Sequence, residues 1–169
     1  MNMRKRPSDL LDAYVCVSPD SQSEPRLYFL YAGDGEMRRE LEGKAATTGW
    51  KSIRFLGFLN QSELPAYYDL CDAFVMPTVF EPWGFVVNEV LNAGKPVIGS
   101  DQVGCRPDLV CDGVNGLSSR PAMSLIWRAR CATSWPTRND ARKWVAGAWK
   151  SSTAGGSRRT CKDSGQLWV

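Results

Sequence analysis

Short apolar segments alternate along this chain with polar segments whose apolar residues recur at helical spacing, and this alternation constrains the fold most. Four apolar runs predict strands at residues 26–33, 53–58, 73–77 and 96–100, the first of them buried. Helices are predicted after Pro7, from Gly35 to Thr48, from Ser62 as the N-cap, from Phe85 to Gly94 and, as one turn, from Arg106 to Val110. Strands that alternate with crossover helices favour an α/β fold with a doubly wound parallel sheet.

The length and composition of the chain favour one globular domain. Its 169 residues are 43% hydrophobic and 23% charged, and no apolar run approaches the ~20 residues that span a bilayer. The start of the chain also lacks the apolar core of a signal peptide. None of the six cysteines forms a C-x-x-C pair and the chain has no histidine, so a structural zinc site is not expected. We expect free thiols in a reducing cytoplasm.

The loop after the third predicted strand is the candidate site. Ligands on doubly wound sheets bind at the carboxyl ends of the strands, and residues 77–85 follow such an end. Gly84 comes directly before a predicted helix, whose first N–H groups have no partner within the helix. These groups and the positive end of the helix dipole favour an anion such as a diphosphate.

Two glutamates flank this glycine, Glu81 in the loop and Glu89 on the following helix. A carboxylate does not attract a phosphate, but it accepts hydrogen bonds, which sugar hydroxyls donate. Loop nitrogens for phosphate and carboxylates for hydroxyls would together suit a nucleotide-sugar. On spacing alone, two such glutamates are more often part of a solvated surface, and a lone glycine at a helix start is an equally weak signal.

The whole string around these residues carries more weight. Pro77-Thr78, Glu81, Trp83-Gly84-Phe85 and Glu89 match in order the E-x7-E signature of the retaining glycosyltransferases of family four, which the chain resembles over residues 4–117. The other elements that resemble the family are Lys5-Arg6-Pro7, Gly33-Asp34-Gly35-Glu36, Phe55-Leu56-Gly57-Phe58, Cys71-Asp72-Ala73, Ala93-Gly94-Lys95-Pro96 and Asp112-Gly113-Val114-Asn115-Gly116. Matches in this order are a specific signal, although any one of them would be weak.

The resemblance implies roles for the loop residues. Glu89 would hold the ribose hydroxyls, and Glu81, the catalytic residue, would face the transferred sugar. The backbone around Trp83, Gly84 and Phe85 would contact the sugar and the diphosphate. The implied activity is transfer of a sugar from a nucleotide-diphosphate sugar to an acceptor, with retention of the anomeric configuration.

The resemblance also implies two donor-binding residues outside this loop and a site that uses no metal or other cofactor. Lys5 would offset the charge of the diphosphate, and Phe58 would line the base pocket. Without a metal, the charge of the leaving group must be met by lysine, arginine and helix dipoles.

One half of a two-domain enzyme of the GT-B fold is implied by the same resemblance. Residues 4–117 would be its Rossmann-like donor-binding domain without the first strand, and the acceptor-binding domain would be missing. We therefore expect the chain to bind its donor weakly and to transfer nothing alone. The expected partners are the nucleotide-sugar donor and the missing domain, with a membrane-associated acceptor left open and no nucleic acid. The expected location is the cytoplasm or, for the full-length enzyme, the inner face of the membrane.

Residues 118–169 differ in composition from the rest of the chain. Residues 1–117 carry 11 Lys+Arg and 16 Asp+Glu, net −5, whereas the tail carries 10 Lys+Arg and 2 Asp, net +8, and five of the seven tryptophans. A one-base shift of reading frame near Leu117 would explain this break. In the shifted frame helix-compatible Ala, Ala, Gly and Glu would replace Trp127, Trp135, Trp144 and Trp149. We predict a frameshifted, poorly ordered tail, and a tail that binds nucleic acid or membrane is the alternative.

Two other functions stay open. The same fold could carry a non-catalytic nucleotide-binding or interaction module, because fold alone does not separate such a module from an enzyme. The chain could also be the inert product of a damaged gene. The combination of Glu81, Glu89 and Gly84 favours the transferase.

Overall fold

The computed structural model describes residues 1–17 and 28–119, and the chain divides into two compact units. In the described part, the first unit comprises residues 1–17 and 28–64, and its elements are a 3₁₀ turn at Met3–Lys5, α1 at Pro7–Val17, β1 at Phe29–Ala32, α2 at Arg38–Thr48 and β2 at Ile53–Gly57. The second unit comprises residues 65–119 and begins within α3, which runs from Leu64 to Leu70. Its other elements are β3 at Phe74–Met76, α4 at Phe85–Asn92, β4 at Val97–Ser100, α5 at Arg106–Leu109 and β5 at Gly116–Ser119.

The core of the first unit is built around a parallel pair of strands, β1 and β2. Its buried side chains come from α1, β1, α2 and β2, and they are Leu11, Tyr14, Tyr31, Leu41, Ala45 and Ile53. Tyr31 stacks on Phe55 with ring centroids 4.9 Å apart. Phe29 meets the edge of Tyr31 at 4.8 Å. Aromatic rings therefore pack beside aliphatic side chains in this unit.

Two buried tyrosine hydroxyls of the first unit find partners. The Tyr14 hydroxyl donates to Oγ of Ser52 at 2.6 Å, and the Tyr31 hydroxyl donates to the carbonyl of Pro7 at 2.7 Å. Burial raises the pKa of Tyr31 well above its usual value, and the nearby charge of Asp12 adds to the effect. The hydroxyl therefore stays protonated and keeps its bond to the start of α1.

The second unit has a parallel ladder in the order β3-β4-β5. All four residues of β4 are buried, because this strand lies between two others. Gly116 of β5 approaches β4 so closely that a Cβ on it would overlap the carbonyl oxygen of Val97. Parallel ladders with intervening helices confirm the predicted fold class, and the four predicted strands and their helices are all observed.

Two features of the strands differ from the prediction. Within β1 only Tyr31 is buried, whereas Leu30 and Ala32 are exposed, so the expectation of a buried strand is wrong for the described part of this segment. Among the described residues β1 pairs with one strand, which leaves part of it uncovered. The fifth strand was not predicted, because Gly116–Ser119 has no apolar run, and it extends past Leu117 to Ser119.

The predicted cap of α3 is also wrong. Asn60, not Ser62, caps this helix, because Oδ1 of Asn60 accepts hydrogen bonds from the N–H groups of Ser62 at 3.0 Å and Glu63 at 3.1 Å. The carboxylate of Glu63 in turn accepts from the N–H of Asn60 at 2.9 Å. Asn60 and Glu63 form a reciprocal capping box, and Ser62 lies inside it.

Three further expectations concern single chemical features. Among the described cysteines, Cys71 and Cys105 are free thiols, but Cys111 is disulfide-bonded, so the expectation of free thiols is wrong there. In the described part of the chain, no helix is both long and apolar enough to cross a bilayer. The prediction of a frameshifted tail falls, from residue 120 onward, outside the described residues.

Candidate functional site

The predicted loop, residues 77–84, connects β3 to α4 in the second unit. Thr78 is fully buried at its start. Its hydroxyl donates to the carbonyl of Phe80 at 3.0 Å and accepts from the N–H of the same residue at 3.3 Å. These local bonds turn the chain directly after the strand, as short hydroxyl side chains commonly do in turns.

A second segment, residues 102–105, lies alongside this loop and holds its backbone. The N–H of Glu81 donates to the carbonyl of Gln102 at 3.2 Å, and the carbonyl of Glu81 accepts from the N–H of Gly104 at 2.9 Å. The N–H of Cys105 donates to the carbonyl of Trp83 at 2.9 Å. Three backbone hydrogen bonds therefore fix residues 81–83 from one side.

This close approach requires a glycine at position 104. A Cβ on Gly104 would overlap the carbonyl oxygen of Pro82 and would lie 3.3 Å from the Cα of Trp83. Any side chain would therefore push the two backbone segments apart. The contact explains why the loop and residues 102–105 share backbone hydrogen bonds.

Gly84 forms the junction between the loop and α4. Its φ of 89° lies in the left-handed region, and a Cβ there would lie 2.9 Å from Val103 and 3.3 Å from Cγ of Glu81. Its carbonyl accepts the N–H of Val87 at 2.9 Å, which begins the helix. Among the residues that the structure describes, no acceptor meets the N–H groups of Phe85 and Val86. These donors and the helix dipole can bind an anion.

The two predicted glutamates are supported in different ways. Glu81 is half-buried in the loop, and its backbone pairs with Gln102 and Gly104. Glu89 is exposed on α4, one helical turn after Phe85 and on the same face of the helix. Both carboxylates can accept hydrogen bonds from hydroxyl groups of a ligand.

A buried tyrosine holds the carboxylate of Glu89. Tyr68 of α3 is 7% exposed, and its hydroxyl donates to Oε2 of Glu89 at 2.8 Å. Burial, and to a smaller extent the bond to Glu89, raises the pKa of Tyr68 above its usual value. The tyrosine therefore remains a hydrogen-bond donor at neutral pH.

The remaining predicted residues lie in two places. Trp83 and Phe85 flank Gly84 and are exposed, Phe85 strongly. Lys5 and Phe58 belong to the first unit, Lys5 exposed at the end of the 3₁₀ turn and Phe58 exposed directly after β2. Five of the seven predicted residues thus lie on one loop and the helix that follows it. The other two, Lys5 and Phe58, belong to the first unit.

Two residues of the site were missed by the sequence reasoning. Tyr68 has no motif that connects it to Glu89, and Gly104 has no motif that connects it to Pro82. Gly104 had one local signal, because residues 100–105 come directly after a predicted strand and so mark a loop at the binding edge. In the described part of the chain, no three Cys, Asp or Glu residues are grouped as metal ligands.

The sequence of the chain is similar to known proteins over most of the described residues. The profile of the family described as glycosyl transferases group 1 matches residues 1–127. An uncharacterized glycosyltransferase of Methanocaldococcus jannaschii is 36% identical over 122 residues, which are 68% of this chain and 31% of that protein. O-antigen chain mannosyltransferase B of Escherichia coli is 30% identical over 123 residues, 72% of this chain and 31% of that protein. The chain thus spans about a third of the length of these curated relatives.

Solved structures share the fold. Anabaena Alr3699/HepE, crystallised in complex with UDP-glucose, superposes with a TM-score of 0.71 at 25% identity, over 89% of this chain and 41% of that one. The C-terminal domain of a glycosyl transferase group 1 family protein, LpcC from Francisella tularensis, superposes with a TM-score of 0.75 at 20% identity. That match covers 89% of this chain and 78% of the LpcC domain.

Proposed function

Because the chain belongs to the glycosyl transferases group 1 family, we propose that it forms the donor-binding part of an enzyme that transfers a sugar from a nucleoside-diphosphate sugar with retention of configuration. One observation carries the proposal. The start of α4 presents the N–H groups of Phe85 and Val86 within a few residues of Glu81 and Glu89. The similarity to a protein crystallised with UDP-glucose supports the same class of donor.

The diphosphate would bind at the amino end of α4. Its charge would be met by the two N–H groups and by the helix dipole, which together favour an anion. The three backbone hydrogen bonds to residues 102–105 hold this end in place before a ligand arrives. Preformed donors stabilise the charge that develops on the leaving diphosphate without reorganisation during the reaction. No metal is needed in this scheme.

The two glutamates would bind the hydroxyls of the donor. Glu89 would accept from the ribose, and Glu81, nearer to Gly84, would face the transferred sugar. Retention requires the acceptor to attack on the face from which the diphosphate leaves, so the sugar must be held firmly while both groups share that face. Carboxylates that each accept hydroxyl hydrogen bonds supply this orientation.

Transfer would need more than the described site. A transferase must also hold an acceptor and exclude water, and the chain spans about a third of its curated relatives. We therefore propose that these 169 residues bind the donor weakly and transfer no sugar without a second, acceptor-binding domain.

Calorimetric titration of the chain with UDP, GDP and ADP tests the proposal. We expect one of them to bind with a Kd below about 1 mM, the usual upper range for enzyme substrates. Glu89→Ala should weaken this binding about tenfold, because the ribose hydroxyls lose a charged acceptor. Glu40→Ala, which removes an exposed glutamate of α2, should leave the Kd unchanged and is the matched control.

Two outcomes would separate the alternatives. Absence of binding to all three diphosphates would contradict the proposal. A non-catalytic nucleotide-binding module would bind equally well, but a longer protein that contains this chain would then release no UDP, GDP or ADP from the corresponding sugar donors with any acceptor. Binding that disappears with EDTA would contradict the metal-free scheme alone.

A further inference from the structure

The hydrogen bond between Tyr68 and Glu89 joins two helices across 21 residues of sequence. The phenol ring of Tyr68 is buried, and its hydroxyl reaches only far enough to meet one oxygen of an exposed carboxylate. Packing alone does not require a tyrosine at position 68, because a phenylalanine would fill the same volume. The function of the hydroxyl should therefore depend on its hydrogen bond to Glu89.

We propose that Tyr68 is the positioning residue of the donor site, holding the Glu89 carboxylate in the orientation in which it binds the ribose hydroxyls. This inference rests on the proposed function. The hydroxyl occupies Oε2 of Glu89 and leaves Oε1 open to a ligand. An ionised carboxylate has about four acceptor positions, so one internal bond leaves enough for two ribose hydroxyls.

The physical benefit is preorganisation. An exposed glutamate samples many rotamers, and fixing it on binding costs conformational entropy. A bond to a buried donor orients the carboxylate before the ligand arrives. Ligand binding then loses less conformational entropy from the Glu89 side chain, and the affinity is higher. A tyrosine hydroxyl keeps its proton through the neutral range, so Tyr68 remains a donor to Glu89 there.

Lys95 ties together the two helices that carry Tyr68 and Glu89. The ammonium group of Lys95, in the turn after α4, donates to the carbonyl of Asp69 at 2.9 Å. The N–H of Lys95 donates to the carbonyl of Val90 at 3.0 Å, which ties the same residue to α4. Lys95 therefore links the end of α3 to the end of the helix that carries Glu89.

The test compares two ligands on the full 169-residue chain. UDP carries both ribose hydroxyls and 2′,3′-dideoxy-UDP carries neither, so only UDP can use Glu89. Tyr68→Phe should weaken the binding of UDP about tenfold, a typical coupling between contacting groups, and leave the affinity for the dideoxy compound unchanged. Tyr67→Phe, the neighbouring tyrosine of α3, should change neither and is the matched control. If UDP is not the preferred diphosphate, the test uses the nucleoside diphosphate that binds best and its 2′,3′-dideoxy analogue.

A double-mutant cycle completes the test. In the Glu89→Ala chain, adding Tyr68→Phe should have no further effect on UDP, because the group through which Tyr68 acts is gone. If Tyr68→Phe weakens both ligands equally, its role is structural and the inference is wrong. If Glu89→Ala weakens UDP but Tyr68→Phe does not, the inference is wrong while the proposed function stands. If the unaltered chain binds no nucleoside diphosphate, both are wrong.

Discussion

The two units of the chain are held together by different kinds of interaction. In the first unit, aromatic and aliphatic side chains from α1, β1, α2 and β2 pack into one cluster, with Tyr31 stacked on Phe55. In the second unit, the site loop is held mainly by backbone hydrogen bonds to residues 102–105, and a glycine permits the approach.

Side-chain packing and backbone hydrogen bonds suit different purposes in the molecule. Side-chain packing tolerates small displacements, because neighbouring side chains adjust their rotamers. Backbone hydrogen bonds between two loops fix atoms more narrowly, and a binding site must hold its donors within a fraction of an ångström. The candidate site therefore stands on the backbone-locked loop, and the aromatic cluster contributes stability. Four substitutions test this contrast.

The largest loss of stability is expected from Leu41→Ala in the first unit. Leu41 is fully buried in α2 against the aromatic cluster. Truncation removes buried methyl groups and leaves a cavity, so the free energy of unfolding should fall by about 3 kcal/mol. Urea unfolding followed by circular dichroism measures it. A loss well below 1 kcal/mol would show that the cluster contributes little.

The second substitution, Gly104→Ala, attacks the locked loop instead. The added methyl group would overlap the carbonyl of Pro82, so the loop must move away from residues 102–105. We expect stability to fall by about 2 kcal/mol, the usual cost of overpacking. Affinity for the nucleoside diphosphate should fall about tenfold, because the N–H groups at the start of α4 shift. Unchanged affinity would mean that the loop is not the site, whatever happens to stability.

A smaller loss is expected from Tyr31→Phe. The change leaves the buried carbonyl of Pro7 without its donor, which should cost about 1–2 kcal/mol. Because burial raises the pKa of Tyr31, the stability that it confers is complete below its unfolded value of 10.0 and is lost as the pH rises above it.

The pH dependence gives the same variant a second measurement. Urea unfolding between pH 8 and 11 should show a decline above about pH 10 in the unaltered chain and a shallower one in Tyr31→Phe. The exposed Tyr28 provides the control for stability, because Tyr28→Phe changes an exposed side chain and should leave the free energy of unfolding at pH 8 unchanged. Identical slopes for the unaltered chain and Tyr31→Phe would contradict the assignment to Tyr31.

The smallest effect is expected from Gly43→Ala, and it has the opposite sign. Gly43 lies within α2, and a Cβ there would meet no atom within 4 Å. Alanine should therefore raise stability by about 0.5–1 kcal/mol through its better helix propensity. This change is also the matched control for Gly104→Ala. Both substitutions add one methyl group, but only the one at position 104 overlaps a neighbouring atom. A loss at position 43 would contradict the reasoning for both glycines.

The fold could be predicted largely from the sequence, because strand and helix patterns are local. Alternating apolar runs and helical spacings gave the four strands of the predicted sheet, and the ordered string from Pro77 to Glu89 gave the candidate loop. Where local patterns were weak the prediction failed. The polar β5 had no apolar run to mark it. Asn60 rather than Ser62 caps α3, because two polar residues only two positions apart compete for the same role.

The amino-acid sequence alone determined the order of the elements and placed two glutamates and a glycine around a helix start, since those features depend on spacing within a few residues. Only the tertiary structure decided that Tyr68 would reach Glu89 and that Gly104 would pass under Pro82. Those contacts join residues about 20 positions apart, and their existence depends on the path of the whole chain between them. The spacing of residues along the sequence therefore does not predict these contacts.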